Sequence, residues 1–383
     1  MTKVLIVGDA FDDKWIGNLV KYVKKCDSSI EVDVFNSSSK HEGDITYKMY
    51  CRSVYLGKHH FPKMFYHIPK VRGFLCQQDF LRDYKVLTKI DKTYNVVNFH
   101  FLSSNYVKVI DVTYKITKNI ILTPWGSDVL RASKNKLRTL TKLAKLSTYV
   151  SCSKSVLRFK QEIMSLLNVA ENKLVDLDFG TELIDMLANT SVSKSDAKRY
   201  LHLDDKYIIA VGYNASTAQN HSQVIDAIAS KRNLLPKNLL ILLQMTYGGN
   251  KQYIQEIENK LKGTGLEYLI LKKYLSNEAL VNVRKCADMF IHAQTTDANS
   301  GSLAEYLLCE VKVINGTWLK YPHREKFGNP YYTFDSFQKL GDVIVTAYES
   351  CENLVDAKLI DDIKQDGWNY MGRKWTNFYN SCV

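Results

Sequence analysis

The sequence predicts an α/β protein made of two doubly wound domains, each a parallel sheet covered by helices on both faces. Three observations carry this. Strand-like and helix-like segments alternate along nearly all of the 383 residues. The alternation is interrupted at one polar stretch, residues 180–200, and then restarts. No apolar run approaches the roughly 20 residues needed to span a bilayer, so the 45% hydrophobic content is available for packed cores.

In order, Lys3–Val7 is an apolar run, Lys14–Lys25 is amphipathic and Ile30–Phe35 is strand-like. Residues 79–91 read as a helix, Asn95–Phe99 and Ile120–Leu122 as strands, and a helix is expected near 129–145. Thr148–Ser151 and Lys173–Leu177 complete the first half. Residues 180–200, with Asn189, Thr190, Ser191, Ser193 and Ser195, suit a linker. Then come a strand Tyr207–Val211, a helix His221–Ser230, a strand Asn238–Leu243 and a helix Gln252–Lys262. Tyr268–Leu271 and Met289–His292 are strands, Ser302–Leu308 a helix and Val311–Ile314 a buried strand. Two such halves imply a cleft between them, with ligands at the carboxyl ends of the strands.

Composition narrows the function classes. The eight cysteines are scattered without a C-x-x-C pair, which disfavours zinc and disulfide frameworks and favours reduced thiols in a cytosol. MTKVLIVGDAF at the N-terminus is a strand entering a turn, not a signal peptide. Gly8 follows the first strand without G-x-G-x-x-G, so a dehydrogenase fingerprint is rejected. The net charge of +12 is uneven: residues 1–190 hold 29 Lys/Arg against 19 Asp/Glu, and residues 191–383 hold 23 against 21. The first half therefore faces an anionic partner.

The most informative segment is Asp297-Ala-Asn-Ser-Gly-Ser-Leu-Ala-Glu305, followed by an apolar helix and the strand Val311–Ile314. The small-residue turn Ser300-Gly301-Ser302 precedes a helix, whose first amides and dipole favour an anion. Glu305 falls on the first turn, where a carboxylate can accept ribose hydroxyls. The competing reading is an ordinary capped helix, with Ser300 or Ser302 as N-cap.

This D-x7-E arrangement resembles the E-x7-E element of family 4 glycosyltransferases of the GT-B fold, two Rossmann-like α/β/α domains facing across a cleft. The resemblance implies that Glu305 binds the donor ribose, Asp297 lies by the donor sugar, and Ser300, Gly301 and Ser302 meet the phosphates. Asp replaces the first Glu, and Glu310 stands where that family usually has Gly. Asn95-Val-Val-Asn-Phe-His100 resembles the family's D-V-V-H-x-H strand end, and Thr123-Pro-Trp-Gly-Ser-Asp128 its H-G-S-D turn. Val175-Asp-Leu-Asp-Phe-Gly180 resembles its interdomain segment. On this basis His100 is the cleft histidine and Asp128 a carboxylate that orients the acceptor or acts as base. Their plain alternatives are a core histidine and a helix cap.

One block departs. Tyr213 and Asn220 stand where family 4 places a diphosphate-binding Arg and Lys. The run Gly212-Tyr-Asn214-Ala-Ser216-Thr-Ala-Gln-Asn220-His221 instead resembles the G-N-S…N-N-H element of the lipid-linked acetamidofucose transferases, family 56, also GT-B. Gln244-Met-Thr-Tyr247-Gly248 resembles their P-x-x-Y-G segment. Asn214, Ser216, Asn220 and His221, with Tyr247, are then donor-binding, through neutral donors and one switchable imidazole. A loop capping the helix near His221 is the alternative. Family 4 retains and family 56 inverts anomeric configuration; the D-x7-E block favours retention. Neither resemblance implies a metal or a cofactor, and no D-x-D signature is present.

Between Asp128 and Glu162 there are nine Lys/Arg and no acid. Arg131, Lys134, Arg138, Lys142 and Lys145 follow helical spacing, with Leu137, Leu140 and Ala144 on another stripe. A second acid-free segment, Tyr47 to Gln78, mixes Lys48, Arg52, Lys58, Lys63, Lys70 and Arg72 with seven Tyr and Phe. Basic and aromatic residues together suit an anionic membrane surface; a solvated face is the plain alternative, and no nucleic-acid motif appears.

The expected organisation is a 1–185 acceptor domain, a 186–364 nucleotide-sugar domain and a 365–383 helix crossing back to the first. The expected function is transfer of a sugar from a nucleotide-sugar to a lipid-linked glycan in bacterial surface-polysaccharide assembly, on the cytoplasmic face of the membrane. The alternatives are a soluble small-molecule transferase or epimerase, and a catalytically silent GT-B scaffold.

Overall fold

The computed structural model describes residues 1–90, 93–153, 157–297 and 299–383. Two compact units emerge: Met1–Gly180 with Trp368–Val383, and Thr181–Gly367. The exchange points are Gly180 and Gly367, against the expected 185 and 364.

The first unit holds β1 (Lys3–Gly8), β2 (Glu31–Asn36), β3 (Ser53–Tyr55), β4 (Val96–His100), β5 (Asn119–Thr123), β6 (Tyr149–Ser151) and β7 (Leu174–Val175). Their order is β3-β2-β1-β4-β5-β6-β7. The second holds β8 (Tyr207–Val211), β9 (Leu239–Gln244), β10 (Glu267–Leu271), β11 (Met289–His292), β12 (Lys312–Gly316) and β13 (Tyr332–Phe334), ordered β10-β9-β8-β11-β12-β13. Each pairing is parallel. Both are the doubly wound Rossmann order, reversing beside β1 and β8, the place where such sheets bind ligands. Helices cover both faces, so β4 and β9 are buried along their whole length. That is why these strands read as continuous apolar runs rather than alternating ones.

Three expectations change. The linker over 180–200 is two helices of the second unit, Glu182–Asn189 and Lys194–Tyr200. Its polar residues are caps: Ser193 accepts the Asp196 amide while Asp196 accepts the Ser193 amide, a capping box. The helix expected at 129–145 is two, Ser127–Leu130 and Lys134–Leu146, the second capped by Ser133. The helix expected at 79–91 is Pro69–Ile90, opening on a proline; Asp91 lies outside the described residues.

The C-terminal helix Trp368–Ser381 belongs to the first unit. Trp368, Trp375 and Tyr379 are buried among β1, β2 and the helix Asn18–Cys26. Tyr379 Oη accepts from Asn98 Nδ2 at 3.0 Å, and Asn98 Oδ1 accepts from Thr123 Oγ1 at 2.7 Å, which fastens the helix to β4 and β5. Trp375 donates Nε1–H to the Asp178 carbonyl at 2.8 Å. Gly180 permits this approach, since a Cβ there would lie 2.5 Å from the Trp368 backbone. Trp375 is 0% exposed, so Trp375→Ala is expected to cost about 3–5 kcal/mol, read as a lower midpoint in chemical denaturation.

Candidate functional site

The helix Gly301–Leu308 follows β11 and packs against the sheet through Leu303, Ala304, Tyr306 and Leu307. Leu, Ala, Glu and Tyr suit a helix, Ser300 in extended conformation caps it, and Glu310 ends the turn after it at φ +53°. That left-handed conformation is what Gly provides most easily, and Glu310 adopts it instead. Ser300 Oγ takes the Leu303 amide at 3.2 Å, leaving the amides of Gly301 and Ser302 without a partner among the described residues, as first-turn donors.

Glu305 is buried at the same end. Its Oε2 accepts from Arg284 Nε at 2.8 Å. A Cβ built on Gly301 would stand 3.8 Å from Glu305 Oε1, so the other oxygen faces the helix head. Arg284, from the helix Asn277–Lys285, is 2% exposed. It also donates from Nη1 to Gln244 Oε1 (2.8 Å) and Tyr306 Oη (3.3 Å), and from Nη2 to Ser302 Oγ (3.4 Å). Burial opposes its charge, but Tyr306 and Glu305 outweigh burial and hold its pKa above the usual value. Arg284 escaped the sequence reading because an Arg on an amphipathic helix looks like a solvated one.

Asp297 Oδ2 lies 3.6 Å from His292 Nε2. His292 Nδ1 lies 3.0 Å from Asn315 Oδ1, an acceptor, and so carries a proton there. Asp297 Oδ2 and Tyr321 Oη are buried without a hydrogen-bond partner among the described residues. The Tyr321 hydroxyl faces the Asp297 carboxylate closely enough to interact with it, so each is the other's natural partner and the two form one buried polar centre beyond β11. Burial, with the Asp297 carboxylate nearby, pushes the Tyr321 hydroxyl well above the usual phenol range. Gln219 and Tyr213 both donate to Gln294 Oε1 beside them. Tyr321, His292 and Gln294 were not anticipated; no spacing in the sequence links them to Asp297.

The loop after β8 is self-sufficient. Asn214 Oδ1 accepts the Ser216 amide at 2.8 Å, Ser216 Oγ the Ala218 amide at 3.3 Å, and Asn220 at φ +56° donates to the Ala293 carbonyl at 2.7 Å. The Tyr247 carbonyl accepts the Ala215 amide at 2.7 Å, while the Tyr247 side chain is half-exposed. His221 is fully buried, with Nδ1 3.1 Å from Tyr253 Oη. Burial pulls its pKa down to about 4, so the ring is neutral near neutral pH. The expected switchable imidazole is thus a core histidine behind the loop.

In the first unit His100 is 0% exposed, with Nδ1 accepting from Trp125 Nε1 at 3.4 Å and Phe179 and Trp375 around it. Burial lowers its pKa to about 3. Its position matches the core reading, beneath Trp125, and its Nε2 is buried without a partner among the described residues. Asp128 is neither a cap, a place held by Gly126, nor an exposed base. Its Oδ2 takes the Leu102 amide (2.6 Å) and its Oδ1 the Trp125 amide (2.9 Å), joining the loops after β4 and β5. Burial raises its pKa, partly offset by those two amides.

Arg131, Lys134, Arg138, Lys142 and Lys145 are all exposed, and Leu140, Leu143 and Ala144 are buried beneath them. In the second basic segment Arg52 is paired with Asp33 and Tyr47 turns inward. Phe61, Met64, Phe65, Ile68 and Phe74 stay exposed among Lys58, Lys63, Lys70 and Arg72. Lys154, within the first basic run, lies outside the described residues.

No protein-family model and no curated protein matches the sequence. Solved structures match over the whole chain. Sucrose-phosphate synthase from Thermosynechococcus elongatus has a TM-score of 0.66 at 12% identity, covering 100% of this chain and 99% of that one. Anabaena HepE in complex with UDP has a TM-score of 0.70 at 14% identity, covering 99% and 100%. A glycosyltransferase from Rickettsia africae has a TM-score of 0.67 at 13% identity, covering 100% and 98%. At such identities the likeness establishes the fold, which is GT-B.

Arg284→Ala leaves the Glu305 carboxylate buried without its counter-charge, with an expected loss of about 3–5 kcal/mol. Arg284→Lys restores little of it, because an ammonium cannot fork to Glu305, Gln244 and Ser302 together. Urea unfolding of the three proteins measures both.

Proposed function

We propose that the chain is a glycosyltransferase that moves a sugar from a nucleotide-sugar to a lipid-linked glycan with retention of anomeric configuration. The observation that carries this reading is the head of the helix Gly301–Leu308, where two open amides lie beside a carboxylate locked in place by Arg284. A diphosphate placed there meets the amides and the positive end of the helix dipole. Glu305 Oε1 accepts the ribose hydroxyls. Asp297 and Tyr321, a carboxylate and a phenol that face one another, meet the sugar. As the glycosidic oxygen takes up charge on leaving, the fixed amides stabilise it without reorganisation. Retention follows from the resemblance of the D-x7-E block. HepE structures hold UDP and UDP-glucose, so uridine diphosphate is the first donor nucleotide to test.

The lipid-linked acceptor is assigned to the first unit. Its exposed cations, each worth about 1 kcal/mol at an anionic surface, and the exposed Phe61, Met64, Phe65, Ile68 and Phe74 suit the cytoplasmic leaflet of a membrane. No helix among the described residues is long and apolar enough to cross one.

One observation favours a second reading, a silent scaffold of the same fold. Tyr213 and Asn220 occupy the places expected for a diphosphate-binding Arg and Lys, and Arg284 is already committed to four partners.

Calorimetry with UDP is expected to show binding by the wild type and at least a tenfold loss, about 1.4 kcal/mol, in Glu305→Gln. Failure of the wild type to bind any nucleoside diphosphate overturns the donor site, and binding without sugar transfer or hydrolysis selects the scaffold. In flotation, the wild type is expected to rise with anionic vesicles in a salt-sensitive way, and reversal of Arg131, Arg138 and Lys142 to Glu to abolish this. Equal flotation of the two proteins removes the membrane assignment.

A further inference from the structure

A cluster in the first unit shares no residue with any role assigned above. His41 comes from the segment after β2, His59 from the segment after β3, and Asp79 from the helix Pro69–Ile90. One ligand atom of each lies within 4.8 Å of the other two. From this geometry we infer that His41, His59 and Asp79 form a binding site for a zinc-class divalent ion.

The protonation pattern supports it. His41 Nδ1 is 2.8 Å from the Leu56 carbonyl, which can only accept, so Nδ1 carries the proton and Nε2 presents its lone pair. That Nε2 is buried and has no hydrogen-bond partner among the described residues. A ring nitrogen tethered to a carbonyl while the other stands free is the arrangement that orients metal-binding histidines. The two imidazoles meet edge to face with centroids 4.4 Å apart.

His59 Nδ1 stands 3.2 Å from Asp79 Oδ2. Ligands at about 2.0–2.2 Å from a tetrahedral zinc are roughly 3.3–3.5 Å apart, so this pair already has ligand spacing, while the set of three, within 4.8 Å of one another, closes onto an ion by up to about 1 Å. The His59 ring then carries its proton on Nε2, toward solvent. Asp79 is 1% exposed, and its only ionic partner among the described residues is His59. Its carboxylate is oriented by the His60 amide at Oδ1 (3.1 Å) and by the Tyr66 hydroxyl at Oδ2. One turn along the helix, Asp83 holds the same loop through His60 Nε2 (2.6 Å) and the Lys58 amide (2.9 Å). The ligand segments are thus braced independently of any ion.

Two imidazole nitrogens and one carboxylate suit zinc and its neighbours better than calcium or magnesium, which prefer oxygen. Three protein ligands leave a fourth position for water. A bound ion would tie both loops to the helix Pro69–Ile90, next to the exposed Phe61, Met64 and Phe65.

The test uses tag-free, chelator-treated full-length protein. Titration with Zn2+ by calorimetry is expected to show one ion per chain and a raised melting temperature, and Co2+ to give the visible absorption of four-coordinate cobalt. His41→Ala and His59→Ala are each expected to weaken zinc binding at least about tenfold, while His67→Ala, an exposed neighbour outside the cluster, binds as the wild type does. Circular dichroism of the metal-free variants separates lost ligation from lost folding. No zinc binding by the wild type, or unchanged binding by folded His41→Ala and His59→Ala, reduces the cluster to a hydrogen-bonded His–Asp pair and overturns the inference.

Discussion

A guanidinium and a carboxylate share the dry interior beneath the helix Gly301–Leu308, and the geometry of the candidate site hangs on them. Arg284 and Glu305 are each less than a tenth exposed. The desolvation of two such charges roughly offsets their attraction, so the pair adds orientation rather than stability. Arg284 forks to β9 through Gln244, and to the helix through Ser302, Glu305 and Tyr306. With Oε2 held, Glu305 cannot swing away, and Oε1 stays beside the open amides of the first turn. A flexible carboxylate would lose conformational freedom on binding a ribose; this one has lost it on folding.

The first unit solves a different problem, presenting loops at the carboxyl ends of β4 and β5 without a charged pair. Asp128 gathers the Leu102 and Trp125 amides, and the ring of Trp125 covers His100. From below, the helix Trp368–Ser381 reaches the same strands through the chain of Tyr379, Asn98 and Thr123. A neutral histidine suits this enclosure, because an imidazolium there would carry an uncompensated charge.

Charge placement follows the same division. Many cations of the second unit have acid partners: Lys198 with Asp288, Lys206 with Glu267, Lys260 with Asp226, and Arg324 with Asp362 and Asp366. The exposed pairs among these add little stability individually, and with the buried Arg324 pairs they leave little field. Lys134, Arg138, Lys142 and Lys145 lie along one face of the helix Lys134–Leu146, with Arg131 just before it; all are exposed without such partners among the described residues, so their fields add. The exposed apolar side chains of residues 61–74 belong to the same unit.

The sequence by itself determined the two-sheet α/β plan, because strands covered on both faces must be apolar throughout and their runs stand out. It set the helices near His221 and Ser302 to within a residue, and it marked the Ser300–Glu305 turn, since caps and first-turn acids are local chemistry. It misjudged residues 180–200, where caps and linkers draw on the same Ser, Thr and Asn. Tertiary structure alone decided the rest. Arg284 is distant in sequence from Ser302 and Gln244, and only the sheet order brings it under Glu305. His41, His59 and Asp79 come together because β2, β3 and one helix meet at a sheet edge. His100 and Asp128 look like exposed chemistry at strand ends until the Trp125 loop folds over both and Trp375 of the returning C-terminal helix packs on His100. Local pattern reports hydrophobicity and hydrogen-bonding habit; which polar groups are sealed from water, and against what, is set by contacts far apart in the chain.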